Sequence, residues 1–243
     1  MSLFNRKPKG NQEIWNIRTM FGPNLKFAAT EAYKLLRTNI MFSFPDEGQC
    51  HVIGITSSVQ GEGKSSTSCN IAYALAEAGQ SVLLLDADLR RPSIASKLGL
   101  SAAPGLSNLL VSRRHYREAL QQCTLAPGLH IITSGDIPPN PSELLSSNRM
   151  KQLLEQLRAE YDYIIVDLPP VMAVSDTIAV SKHLDGVAIV VRAGVANRQM
   201  FAEAMRQLRM VNVRVMGFIY RDAETSGKNY SSKNYKVNSA YER

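Results

Sequence analysis

A short apolar run followed by a glycine-rich loop most constrains the fold of this 243-residue chain. Residues 52–55 predict a buried strand, and residues 66–77 are compatible with a helix. The loop between them contains Ser57, Ser58, Gly61, Glu62, Gly63, Lys64 and Ser65. Strand, glycine loop and helix in this order are typical of a phosphate-binding P-loop, because the helix N-terminus offers free N–H donors and partial positive charge.

The loop predicts contacts to a nucleoside triphosphate and to magnesium. Lys64 would reach the β- and γ-phosphates, and the Ser65 hydroxyl would bind Mg²⁺. The first glycine of the usual pattern is Ser58 here, a departure that the flanking strand and helix offset. A glycine turn with a chance Lys-Ser pair is the alternative. The residues expected to bind the nucleotide are Gly61, Glu62, Gly63, Lys64, Ser65 and Ser66.

Three carboxylates follow two further predicted strands. Residues 81–88 end in Asp86 and Asp88, which should point the same way because alternate strand residues share a face. Residues 163–167 end in Asp167, which suits a magnesium ligand. Of Asp86 and Asp88, one can accept a proton from an incoming hydroxyl and the other can serve magnesium. The alternative is that these three acids have no catalytic role and are solvated residues at strand ends that cap the following helices.

Strands and helices alternate along the chain. This predicts an α/β fold, a mostly parallel twisted sheet with helices on both faces, of the P-loop NTPase kind. We expect Thr30 to cap the first helix and Ser142 to cap the helix after a proline-rich turn. Further strands are expected over residues 129–133, 186–191 and 213–220. Helices are expected over residues 28–42, 105–112, 116–122, 147–160, 176–184 and 198–210. In the first helix the spacing predicts a buried apolar face and an outer face, the first formed by Ala32, Leu35, Leu36 and Ile40 and the second by Glu31, Lys34 and Arg37.

Composition limits the partners. The net charge of +7 and the pI of about 9.4 suit nucleic acid, an anionic membrane surface or polyphosphate. The basic residues are scattered, so we expect no nucleic-acid partner. Three cysteines without C-x-x-C spacing predict free thiols in a reducing compartment. With no apolar run long enough to span a membrane, we expect a cytoplasmic domain that a partner recruits to the inner face of the cell membrane.

Several segments together resemble the bacterial tyrosine kinase family, in its separate cytoplasmic, Gram-positive form. They are Gly-Glu-Gly-Lys-Ser-Ser at 61–66, Leu-Asp-Ala-Asp-Leu-Arg-Arg-Pro at 85–92, Ile-Val-Asp-Leu-Pro-Pro at 165–170, Pro-Pro-Asn-Pro-Ser-Glu-Leu-Leu at 138–145, and the tyrosine-bearing C-terminus. The resemblance covers the chain from about residue 24. The Asp-x-Asp segment with its following arginine is its most discriminating part.

The resemblance implies an ATP-dependent protein-tyrosine kinase that autophosphorylates its C-terminal tyrosines and regulates capsular or exopolysaccharide synthesis and export. It implies Asp86 as the catalytic base, with Lys64 and Asp88 also catalytic. It implies Ser65, Asp88 and Asp167 as the magnesium ligands. From their composition, residues 1–23 are expected to be an extended arm, with a disordered leader as the alternative, and residues 223–243 a flexible tail, with the P-loop kinase domain over 24–222 between them. The expected autophosphorylation sites are Tyr230, Tyr235 and Tyr241.

The family also implies partners. These are a membrane-embedded activator, protein tyrosine substrates, a cognate phosphatase and other copies of the chain, assembled as a ring that could be octameric. Related rings use a Glu-x-x-Arg-x-x-Arg helix, which matches Glu31, Lys34 and Arg37 except at the middle position. Lysine lacks the bidentate fork of arginine, which weakens the expected contact.

Two other functions stay open. ATPases of the MinD and ParA type share the fold, but they carry a second lysine at the position of Val59 and need no tyrosine tail. A nucleotide-gated assembly module would bind ATP without transferring phosphate. The three acids argue against such a module, and phosphotyrosine formation would separate all three functions.

Overall fold

A computed structural model describes residues 21–44, 48–112, 114–195 and 197–221. Seven strands form its one central sheet: β1 (His51–Ser57), β2 (Val82–Asp86), β3 (Leu120–Gln122), β4 (Leu129–Ile132), β5 (Tyr163–Asp167), β6 (Gly186–Arg192) and β7 (Val215–Arg221). Their order is β3-β4-β2-β5-β1-β6-β7. All neighbouring strands are parallel except β3 and β4.

The α-helices in the described ranges are α1 (Phe27–Phe42), α2 (Lys64–Glu77), α3 (Ile94–Leu98), α4 (Leu106–Val111), α5 (Pro141–Ser146), α6 (Asn148–Arg158), α7 (Asp176–Ser181) and α8 (Arg198–Met210). Two short 3₁₀ turns span Gly22–Asn24 and Tyr116–Glu118. None of these helices is long and apolar enough to cross a bilayer.

Helices cover both faces of the sheet, as predicted. Alternate residues of β2 enter different cores, with Leu84 on one face and Leu83 and Leu85 on the other. Helices α1, α2 and α3 pack on the first face, and α4, α5 and α6 on the second. A smaller core joins α8 to β6. The central strands are apolar on both sides because both sides are buried, which is typical of parallel sheets.

The helix predicted over residues 116–122 is wrong in its second half. Only Tyr116–Glu118 forms a helical turn, and Leu120–Gln122 is β3, an edge strand antiparallel to β4. Three residues are too few to show a strand periodicity, and pairing with β4 decides their conformation.

Both predicted hydroxyl caps are wrong. Helix α1 begins at Phe27, so Thr30 lies inside it and donates to the Lys26 carbonyl. Helix α5 begins at Pro141, because proline is favoured in the first helical turn, and Ser142 is therefore inside the helix. The start predicted for the next helix is confirmed, since Ser147 caps α6.

The faces predicted for α1 are also partly wrong. Leu35, expected on the buried face, is 64% exposed. Arg37, expected on the outer face, donates from Nη1 to the Ala74 carbonyl of α2 at 3.1 Å. Glu31 and Lys34 do lie outside and pair with each other at 2.9 Å. Packing against α2, rather than periodicity alone, sets which side of α1 is covered.

Candidate active site

The loop between β1 and α2 has the conformation that its glycines permit. Gly61 and Gly63 have φ of 89° and 86°, in the left-handed region that favours glycine. Gly63 is the residue before α2, which starts at Lys64. Ser58 is not among the described residues with positive φ, and its hydroxyl donates to Glu62 at 2.9 Å. The position that is usually glycine therefore does not need one here.

The Glu62 carboxylate is fully buried and holds the loop from within. It accepts hydrogen bonds from the Ser58 hydroxyl, from the Val59 N–H at 2.9 Å and from the Arg192 N–H at 3.2 Å. Of the predicted nucleotide-binding residues, Glu62 thus has its side chain engaged by the protein. Only its backbone N–H can serve a phosphate.

Lys64 brings two of the predicted acids together. Its Nζ lies 2.6 Å from Asp88 Oδ2 and 3.7 Å from Asp167 Oδ2. Burial works against the charge of this ammonium, but Asp167 and Asp88 outweigh burial and raise the pKa of Lys64. The lysine therefore remains a cation at the start of α2.

Asp86 and Asp88 are placed differently, because β2 ends at Asp86 and the strand alternation does not reach Asp88. Asp88 lines the cavity described below, whereas Asp86 is fully buried and outside its described lining. The Asp86 carboxylate accepts from the N–H groups of Asp88 and Ile94, each at 3.2 Å. Burial, with Asp167 on the neighbouring strand, raises the pKa of Asp86 to about 7.

The residues present fit a magnesium ion. Asp167 Oδ1 accepts from the Ser68 hydroxyl at 3.0 Å, but the buried Oδ2 has no hydrogen-bond partner among the described residues. Burial disfavours the charged carboxylate and raises the pKa of Asp167. A cation bound beside the carboxylate would offset this cost. The described part of the chain holds no group of three His, Cys, Asp or Glu side chains able to hold a metal. Hydroxyl, phosphate and water ligands, which magnesium favours, would complete the set.

A cavity of about 490 Å³ opens over this loop. Its described lining comprises Gln60, Gly61, Gly63, Lys64, Ser65, Ser66, Asp88, Arg90, Arg91, Ser93, Lys97, Pro169, Pro170, Ala173 and Val174. Five of the six predicted nucleotide-binding residues are in this set. The cavity also carries three further basic side chains and an apolar wall, enough for a polyanion with an organic part.

The ion pair between Arg90 and Asp176, at the wall of this cavity, was not among the predicted site residues. The Arg90 guanidinium makes two hydrogen bonds to the buried carboxylate of Asp176, the first residue of α7. Arg90 stands beside Asp88 in the sequence, but its partner lies 86 residues away. The one local sign of that partner is that Asp176 is the acid at the start of a predicted helix.

Two further arginines, at the ends of β6 and β7, contact the loop itself. Arg192 Nη1 donates to the Gly61 carbonyl at 3.3 Å, and Arg221 Nη1 donates to the Gly63 carbonyl at 3.1 Å. The predicted autophosphorylation sites Tyr230, Tyr235 and Tyr241 lie outside the described residues. The segment that carries them follows Arg221 in the sequence.

Comparisons with known proteins bear on this site. A family model described as "AAA domain" matches residues 50–212. The tyrosine-protein kinase YwqD of Bacillus subtilis is 37% identical over 221 residues, which are 91% of this chain and 92% of YwqD. Putative kinases named EpsB, from Ralstonia, are about as similar, but this chain spans only 27% of their length.

Solved structures agree. The kinase domain of Escherichia coli tyrosine kinase ETK has a TM-score of 0.77 at 32% identity, covering 88% of this chain and 84% of that one. The chimerical protein CapA2B2 has a TM-score of 0.73 at 32% identity, covering 82% and 84%. MinD from Pyrococcus horikoshii, in complex with Mg-ADP, reaches 0.59 at 20% identity and shows a common fold alone. The putative tyrosine-protein kinase CapB of Staphylococcus aureus is 32% identical over 194 residues, which are 80% of this chain and 84% of CapB. The chain therefore belongs to the family of bacterial protein-tyrosine kinases, in the YwqD and CapB type, built on the P-loop NTPase fold.

Proposed function

We propose that this chain transfers the γ-phosphoryl group of ATP to tyrosine hydroxyls at the cavity over residues 58–66. The bond between the γ-phosphorus and the β-phosphate oxygen breaks, and a bond to the phenolic oxygen forms. The phenolic proton passes to a carboxylate, and ADP leaves. One observation carries the proposal: the Lys64 ammonium lies between Asp88 and Asp167 at the mouth of a P-loop.

Lys64 would neutralise charge on the β- and γ-phosphates, while the N–H groups of Gly61, Gly63 and the first turn of α2 bind phosphate oxygens. Ser65, Asp88 and Asp167 would hold magnesium, whose bound form offsets charge on the phosphates. In binding ATP, Lys64 would exchange its contact with Asp88 for one with phosphate. Asp88 would thereby become available within the cavity.

The proton acceptor is proposed to be Asp86. A carboxylate whose pKa is about 7 is well matched to accepting a proton near neutral pH. Its burial and its two backbone N–H partners mean that a phenol could reach it only after local movement. Asp88 is the other candidate, because its side chain lines the cavity.

The proposed acceptors in this chain are Tyr230, Tyr235 and Tyr241. Arg221, the last residue of β7, contacts the P-loop, and Tyr230 follows it by nine residues. Nine residues span at most about 30 Å when extended. The tail is therefore tethered close to its own site and could also reach a neighbour's.

We further propose assembly with other copies through α1. Phe27, Leu35 and Phe42 are 82%, 64% and 83% exposed. Phe27, Glu31 and Leu35 are spaced four apart, so they share one side of the helix. Large exposed apolar side chains beside a charged pair favour a protein contact. The proposed assembly is a ring, by resemblance to the family.

The remaining partners are proposed from the family. They are a membrane-embedded activator, further protein tyrosine substrates and a cognate phosphatase, with the chain held at the inner face of the membrane. The proposed role is control of capsular or exopolysaccharide synthesis and export.

One experiment tests the activity. The purified chain is incubated with ATP and magnesium, and both phosphotyrosine and free phosphate are measured. Phosphotyrosine formation supports the proposal. Phosphate release without phosphotyrosine favours an ATPase of the MinD type, and ATP binding with neither product favours an assembly module. The assay is repeated with an activator segment present, so that a missing activator is not mistaken for a missing activity.

A second experiment separates the two acids. Asp86→Asn should block phosphotyrosine formation while Mg-ATP binding persists, whereas Asp88→Asn should also weaken the magnesium dependence of binding. The reverse pattern would assign the base to Asp88. Asp136→Asn, at an exposed carboxylate far along the chain from both, is the matched control.

A further inference from the structure

Arg90 is fixed at the wall of the cavity by a two-point contact. Its Nε donates to Asp176 Oδ2 at 2.8 Å, and its Nη2 donates to Asp176 Oδ1 at 3.1 Å. The Asp176 side chain is 0% exposed, while that of Arg90 is 42% exposed. The arginine is therefore anchored at one edge by a buried carboxylate and open at the other edge.

Asp176 is in turn held in place by a neighbouring hydroxyl group. The Ser142 hydroxyl, from the proline-rich segment that enters α5, donates to Asp176 Oδ1 and lies 3.1 Å from the Ser175 hydroxyl. Both oxygens of Asp176 are thus engaged by protein groups. Asp176 can orient Arg90 but has no oxygen left for a ligand, which makes it a positioning residue.

The free edge of Arg90 shares the cavity with Lys64 and Asp88. A guanidinium has five N–H donors, and Asp176 uses two of them. The other three have no partner among the described residues. A planar fork with a permanent charge suits a phosphoryl group better than a neutral ligand.

The chain's own tail argues against recognition of acidic acceptors. Lys228 precedes Tyr230, and Lys233 and Lys236 flank Tyr235, so of the three proposed acceptors only Tyr241, followed by Glu242, has an acid beside it. An arginine would repel such segments rather than select them. The anion common to every transfer is the phosphoryl group itself.

We infer that Arg90 contacts the oxygens of the phosphoryl group as it passes from ATP to the acceptor, and that Asp176, aimed by Ser142, positions it. This inference rests on the proposed phosphoryl transfer. An arginine in this place stabilises charge that develops on the phosphoryl oxygens in the transition state. Through the contacts from Ser142 to Asp176 and from Asp176 to Arg90, the proline-rich segment would help to orient the arginine.

The test is chemical rescue. Arg90→Ala should lower the turnover rate by about 100-fold and leave the KM for ATP nearly unchanged. Guanidinium ion at millimolar concentration should restore part of the rate, because the unpaired Asp176 carboxylate would bind it. The double variant Arg90→Ala, Asp176→Asn should not be restored. A structural pair alone would show neither the split between rate and KM nor the dependence of rescue on Asp176.

The control is a pair with the same geometry elsewhere. Arg206, on the exposed side of α8, contacts Glu203 through Nε at 2.8 Å and Nη2 at 2.7 Å. Arg206→Ala should change neither turnover nor KM. If Arg90→Ala does not fold, Arg90→Lys replaces it, since lysine keeps the charge without the fork. Turnover by Arg90→Lys should then remain far below that of the wild type.

Wild-type turnover by Arg90→Ala or Arg90→Lys would overturn the inference. So would an equal loss of ATP affinity, or rescue that persists without the Asp176 carboxylate. Turnover is followed both as phosphotyrosine and as free phosphate. If the wild type makes no phosphotyrosine, the tyrosine kinase proposal fails, while phosphate release still reports on Arg90.

Discussion

The Glu62 carboxylate accepts a hydrogen bond at 3.2 Å from the backbone N–H of Arg192, which lies 130 residues later at the end of β6. The same carboxylate holds the start of the P-loop through Ser58 and Val59. One buried acid thus fixes the loop to the sheet on which the cavity is built. This contact accounts for a loop that keeps its form without the usual first glycine.

Glu62→Gln should loosen the loop. The amide has one acceptor oxygen in place of two, so at least one buried donor loses its partner, at a cost of about 1–3 kcal/mol in the free energy of unfolding. ATP affinity should also fall, because the loop N–H groups are less well ordered. Urea unfolding and nucleotide titration measure the two effects. Glu155→Gln, at an exposed residue of α6, is the control, and identical values for the two variants would contradict this role.

Asp167→Asn should abolish the effect of magnesium on ATP binding. The buried Oδ2 accepts no hydrogen bond among the described residues and lies 3.7 Å from Lys64 Nζ, and an amide in its place supplies no charge to a cation. Stability without magnesium should not fall, because burial disfavours the carboxylate that is removed. Titrations of ATP with and without magnesium provide the measurement. An unchanged magnesium response in this variant would place the ion elsewhere.

The tail should be phosphorylated between chains. A Lys64→Met chain with intact tyrosines is mixed with an active chain in which Tyr230, Tyr235 and Tyr241 are replaced by Phe. Phosphate should then accumulate on the Lys64→Met chain, which cannot label itself. If it stays unlabelled while the wild type labels itself at any dilution, the reaction is confined to one chain.

Leu35→Glu should weaken assembly. It places a charge beside Glu31 on the exposed apolar side of α1, where a second copy is proposed to bind. Leu125→Glu, at another exposed leucine, is the matched control. Mass in solution across a range of concentrations gives the readout. Assembly of Leu35→Glu equal to that of the control would exclude this face.

The sequence predicted the layered fold because each central strand is an unbroken apolar run followed by polar residues. It also predicted the meeting of Lys64, Asp88 and Asp167, since parallel strands bring their carboxyl ends to one edge. Strand β3 could not be predicted, because Leu120–Gln122 is a strand only through pairing with β4.

The contacts of Asp176 with Ser142 and Arg90 could not be predicted either. It depends on Pro141 starting α5, which leaves Ser142 free to bond outward instead of capping. The inward turn of Arg37 depends on how α1 packs against α2. Long-range contacts of polar side chains, unlike apolar periodicity, leave little trace in the local sequence.

Tyrosine phosphorylation that depends on Lys64 is tested most directly by mass spectrometry of the purified chain, and of its Lys64→Met variant, after incubation with ATP and magnesium. Lys151→Met, at an exposed lysine of α6, serves as control. We expect phosphate on Tyr230, Tyr235 and Tyr241 in the wild type and in the control, and none in Lys64→Met. Equal tyrosine phosphorylation of Lys64→Met would contradict this expectation.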